Sequence, residues 1–122
     1  MLLVSAVQPT NINFSGSLNP NVKKTFKNDL KQLQKMLPKD VFESKKQQYD
    51  EALGFIKDYA VDRSPEDKVL IERNKRWHLT ESGESIFREV YSLYVQNRKG
   101  KYHVLSALPG ELEKLGKNLF NH

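Results

Sequence analysis

Residues 68–97 read KVLIERNKRWHLTESGESIFREVYSLYVQN, and the way this stretch folds decides the architecture. Val69, Leu70 and Ile71 would point to three sides of a helix, whereas a strand alternates them between two faces. The stretch therefore opens as a strand. A three-residue connection, Asn74-Lys75-Arg76, then keeps Val69, Ile71, Trp77 and Leu79 on one inward face; a two-residue turn would split that set. This predicts a β-hairpin over 68–80 whose tip is basic, with Arg73, Lys75 and Arg76 around the turn. Beyond it, Ile86, Phe87, Val90, Tyr91, Leu93, Tyr94 and Val95 cover half a helical wheel or more, which reads as a helix over 82–97 capped by Thr80 or Ser82. An arc that wide suits either the centre of the domain or a helix that also meets a second chain, and Phe87, Tyr91, Tyr94 and Val95 are its candidate interface.

Upstream, Asn19-Pro20 is a helix-start signature, and Val22, Phe26, Leu30, Leu33 and Leu37 recur at helical spacing within about 80° of arc. This predicts a helix over 20–37, with Lys24, Lys27, Lys31 and Lys35 on its opposite, solvent face. Pro38 stops it, Asp40 and Glu43 form a capping-box-like start, and the apolar face from Phe42 to Ala60 predicts a second helix over 41–60. Downstream, Tyr102 to Leu105 can pair as a short strand, and Pro109 opens a fourth helix over 109–120, which Gly116 leaves marginal unless it docks. The expected fold is thus α+β and mainly helical, with four helices and one β-hairpin. Residues 1–19 carry no charged side chain and are rich in Asn, Ser and Thr, so they read as a flexible leader to one domain over 20–122.

The chain has 122 residues, 38% hydrophobic and 29% charged, enough apolar material for one core. A net charge of +5 favours an acidic partner over a basic one. With no cysteine, disulfides, thiolate zinc sites and thiol nucleophiles are excluded, and a reducing, cytoplasmic setting fits. The apolar start Met1–Val7 lacks a basic flank and is too short for a secretory signal, and no run approaches the roughly 20 apolar residues that span a bilayer.

Chemistry-bearing motifs are missing. The three histidines, His78, His103 and His122, have no metal-ligand spacing, and no glycine framework for binding a nucleotide phosphate is present. Ser15, Ser17, Ser82 and Ser85 sit beside or near glycine without the G-x-S-x-G elbow, and the paired carboxylates (Asp50 and Glu51, Glu66 and Asp67, Glu111 and Glu113) lie in polar stretches. No catalytic residue, metal ligand or cofactor is assigned, and the expectation is a non-enzyme.

Val69-Leu70-Ile71-Glu72-Arg73, then Arg76-Trp77-His78-Leu79-Thr80-Glu81-Ser82-Gly83, then a long apolar segment to Val95, resembles the wing of a winged-helix domain with its L-T-x-x-G turn and following helix. The resemblance covers residues 69–95. It implies a hairpin that touches DNA backbone and a following helix that supports dimerisation. In that family a helix-turn-helix precedes the wing; here the preceding stretch reads as one long helix, and its last six residues offer only Lys57 to contact DNA. The first functional expectation is therefore a protein-interaction module or accessory subunit that binds another chain or itself through 82–97. The second is a nucleic-acid binder using Arg73, Lys75 and Arg76, with Lys24, Lys27, Lys31 and Lys35 widening the field.

Overall fold

The alternation that opens at Val69 does not stop at Arg73. In the computed structural model, which describes residues 15–120, one strand runs unbroken through the segment expected to turn. The elements in chain order are β1 (Ser17–Leu18), α1 (Asn21–Met36), α2 (Lys39–Val61), β2 (Lys68–Leu79), β3 (Ser85–Asn97), β4 (Gly100–Ala107) and α3 (Glu113–Leu119). The sheet order is β1-β2-β3-β4, with β1 parallel to β2 and the other pairs antiparallel. This corrects the expected fold class: among the described residues three helices and a four-stranded mixed sheet, 43% helix and 33% strand, replace a mainly helical chain of four helices and one short hairpin.

The two errors have one cause. A three-residue turn at 74–76 has no glycine, whereas Gly83 takes φ 91°, and Thr80-Glu81-Ser82-Gly83-Glu84 is the turn itself. Thr80 closes it: its N–H donates to the Glu84 carbonyl at 2.8 Å, its carbonyl accepts from Gly83 N–H at 3.0 Å, and its hydroxyl accepts from Glu84 N–H at 3.1 Å. Once the turn sits at 80–84, residues 85–97 must pair back along β2, in register from Leu79↔Ser85 to Lys68↔Gln96. The segment expected as a helix over 82–97 is therefore a strand. Its apolar residues cover a wide arc of the helical wheel because Val90 and Tyr94 lie on one face of the sheet while Leu93 and Val95 lie on the other, and all four are buried. The strand expected near 102–105 is longer, Gly100–Ala107, and the last helix starts at Glu113 because Pro109-Gly110 forms a turn with Gly110 at φ 85°.

α1 and α2 occupy nearly the ranges expected for the first two helices and pack side by side, with the Phe26 and Tyr49 rings edge to face at 5.4 Å. They cover one face of the sheet, where Val22, Phe26 and Ile56 meet Val69, Ile71, Leu93 and Val95. Of the segment expected as a flexible leader, residues 1–14 lie outside the described residues. Ser17–Leu18 forms a strand on the β2 edge, anchored by Gly16 N–H to Arg63 carbonyl at 2.9 Å and Asn19 N–H to Val69 carbonyl at 2.8 Å. Asn21 then takes over the edge, its side-chain amide donating to the Ile71 carbonyl at 2.9 Å.

A buried polar clamp ties the C-terminal segment to the helices. Tyr49 O–H donates to Asp29 Oδ2 at 2.6 Å, and the same oxygen accepts from Gly110 N–H at 2.8 Å, while Leu112 N–H donates to the Tyr49 oxygen at 3.3 Å. α3 docks on α2 through Gly116: a Cβ there would lie 2.5 Å from Ala52 Cα, so only glycine permits the approach.

Candidate interaction site

The hairpin is longer than the helical layer that covers it. Val69 and Ile71 are in the core, but the odd-numbered positions beyond them on the same strand, Arg73, Lys75, Trp77 and Leu79, leave it. The four residues expected on one inward face do share a face, yet Trp77 and Leu79 are exposed by 70% and 69%. Phe87, directly across from Trp77, is 56% exposed, and the two rings sit 5.4 Å apart. Three large apolar side chains thus form an exposed strip, with Leu79 at the end that borders a cavity shared with α3. Together they expose on the order of 400 Å² of surface, the size at which a patch on a monomer usually has a role.

Charge along this arm is balanced. Residues 72–89 contain four acidic and four basic side chains, against +5 for the chain. Arg73 is paired with Glu89 at 2.8 Å and lies over the Tyr91 ring at 5.4 Å; Glu89 first, then Tyr91, hold its guanidinium above its ordinary range. Glu72 receives Lys101 at 2.6 Å. At the turn, Glu81 meets Lys114 of α3 at 2.7 Å, which lowers the Glu81 carboxyl below its usual value; Glu111 and Glu81 together raise the Lys114 ammonium. The expected basic tip is thus relocated: Arg73, Lys75 and Arg76 stand in mid-strand, and the true turn carries Glu81 and Glu84.

The opposite face of the sheet holds a chain of hydrogen bonds. Ser92 Oγ donates to Asn74 Oδ1 at 2.8 Å and shares a hydrogen bond with the Ser106 hydroxyl at 3.0 Å, and Ser106 in turn is bonded to His103 Nε2 at 2.7 Å. Asn74 and Arg76 both donate to the Tyr94 hydroxyl, at 2.8 and 3.3 Å. The network stiffens the strands that carry the exposed strip.

Of the residues expected at an interface, Phe87 lies on the strip and Tyr91 beside it under Arg73; Tyr94 is buried in the opposite face and Val95 in the core. Lys24, Lys27, Lys31 and Lys35 lie on α1, exposed and outside the hairpin. Trp77 and Leu79 are site residues that the sequence places on the inward face, because a turn at 74–76 sends them to the core, whereas the turn at 80–84 leaves them exposed. The signal the sequence offers is two apolar-bearing segments of similar length, 68–79 and 85–97, on either side of a short polar stretch that contains Gly83. Among the described residues no group of three or more His, Asp or Glu could hold a metal, and no helix is long and apolar enough to cross a membrane. No protein family matches this sequence, and neither a curated protein nor a solved structure is significantly similar to it.

Proposed function

We propose that this protein is a non-catalytic, self-associating interaction module of the cytoplasm, in which two copies meet hairpin to hairpin through Trp77, Leu79 and Phe87. The observation that carries this reading is the exposed apolar strip on a charge-balanced arm. Exposed aromatic side chains packed against each other supply rigid contact area and are the usual anchors of protein interfaces. Two chains of net charge +5 repel each other, but the arm, with equal numbers of acids and bases, lets them touch without adding like-charge contacts at the interface. A nucleic-acid partner at the hairpin would instead need unpaired cations gathered at its tip, and here Glu89 neutralises Arg73 while the turn is acidic.

Sedimentation equilibrium of the full chain tests this. The expected species has twice the 14.2 kDa chain mass, and Trp77→Asp or Phe87→Ser returns it to a monomer with an unchanged circular dichroism spectrum. A wild-type chain that remains monomeric to the highest soluble concentration overturns the reading, as does a dimer indifferent to both substitutions.

A further inference from the structure

The outer side of the α1–α2 pair carries a second surface with a different chemistry. A groove of about 330 Å³ runs between the two helices, floored by the half-buried side chains of Leu30, Phe42 and Leu53 above Phe26 and Tyr49. Its rim is basic. Lys23, Lys27 and Lys31 follow one another along α1, and Lys46 stands on α2. Asp50 is the one carboxylate among the described residues lining the groove.

The chain's charge is concentrated here. α1 holds five lysines and one acid, Asp29, and that acid is buried and committed to Tyr49 and Gly110. None of the five lysines makes an ion pair among the described residues. Residues four apart on a helix rise about 6 Å, so Lys23, Lys27 and Lys31 form a row matching carboxylates spaced one turn apart on a helix lying alongside.

We propose that the α1–α2 groove docks an acidic amphipathic helix of a partner protein. The apolar floor takes its leucine-type side chains at i, i+3 or i+4 and i+7, and the lysine rim pairs with its flanking carboxylates. A nucleic-acid backbone offers phosphates to the rim but nothing apolar to Leu30, Phe42 and Leu53. The α1–α2 groove is separate from the hairpin strip, so the two surfaces fit a protein that joins a copy of itself to a different partner.

The probe is an 18-residue fluorescent peptide with leucines at helical spacing and glutamates on both flanks, titrated against the full chain by anisotropy. Saturable binding is expected, weakened at least about tenfold by Lys27→Glu with Lys31→Glu and by 0.5 M salt. Both lysines are exposed, so the double variant keeps its fold, checked by circular dichroism. A peptide with lysine in place of glutamate does not bind, and Trp77→Asp, which tests the hairpin, leaves peptide binding unchanged. Absence of binding overturns the proposal, as does binding that survives the charge reversal. Binding to phosphatidylserine vesicles but not to the peptide also overturns it, in favour of a lipid surface.

Discussion

Replacing Tyr49 by Phe removes one oxygen from the buried polar cluster of Asp29, Tyr49 and the Gly110 and Leu112 amides, and its cost can be worked from the contacts. The Tyr49 side chain is fully buried, and its ring contact with Phe26 survives the change. What is lost is the 2.6 Å bond donated to the Asp29 carboxylate, a charge-assisted interaction worth about 1.5–3 kcal/mol, together with the longer bond from Leu112 N–H, worth about 0.5–1 kcal/mol. The expected destabilisation is therefore about 2–4 kcal/mol, a large share of the roughly 5–15 kcal/mol typical of a domain. Asp29→Asn sharpens the reasoning. Its amide oxygen can still accept from both Tyr49 and Gly110, so it costs less than Tyr49→Phe; Asp29→Ala, which strands both donors, costs more. Equilibrium urea unfolding of the three variants measures the order. Because the clamp holds the turn before α3, the Gly110 and Leu112 amides also exchange faster in Tyr49→Phe. A loss below about 0.5 kcal/mol, or an Asn variant weaker than the Phe variant, refutes the assignment of this cluster as a stabilising clamp.

At Trp77, truncation to Ala weakens the dimer without unfolding the chain: each copy loses an anchor worth about 2 kcal/mol or more, so a two-fold interface loses at least about 4 kcal/mol, roughly a thousandfold in Kd by sedimentation. The monomer loses only the ring contact with Phe87, about 0.5–1.5 kcal/mol in chemical unfolding. Gly116→Ala forces a methyl into Ala52 and separates α3 from α2, lowering stability by more than the helix propensity of Ala restores; a thermal melt above that of wild type contradicts the close approach. Stability falls at alkaline pH. Burial, then the Asp29 bond, raise the Tyr49 phenol far above its ordinary value of 10.0, and burial raises Tyr59 as well. The unfolded chain gives up these protons near pH 10 while the fold retains them, so this contribution is complete below pH 10 and declines as pH rises beyond it. Tyr49→Phe flattens that decline in pH-dependent urea titrations.

How much was legible in the sequence depended on how many faces an element buries. α1 and α2 each bury one stripe, so the 3.6-residue period and the Pro20 and Pro38 boundaries located them within a residue or two. β3 buries Val90 and Tyr94 on one side and Leu93 and Val95 on the other, which erases the two-residue alternation and imitates a broad helical face. The turn decided the rest. A turn at Asn74-Lys75-Arg76 satisfies the alternation of four residues, but Gly83 is the only glycine in the stretch and the residue that takes the positive φ. That single displacement moved Trp77 from surface to core and the cations from mid-strand to tip. Burial of Tyr94 and Val95 is equally hidden from a local reading, because it depends on pairing with Leu70 and Val69 of β2, more than twenty residues earlier in the chain.

The uneven distribution of charge gives the two surfaces opposite responses to salt. α1 carries four of the five net positive charges, and the arm carries none. Salt screens repulsion between the bodies of two copies, so a contact made by the neutral arm holds or tightens as ionic strength rises. The lysine rim of the α1–α2 groove works by attraction, and the same salt weakens whatever it holds. One titration with salt therefore separates the two sites in the intact protein: self-association that dissolves at high salt would place the dimer contact on charged residues instead of Trp77, Leu79 and Phe87.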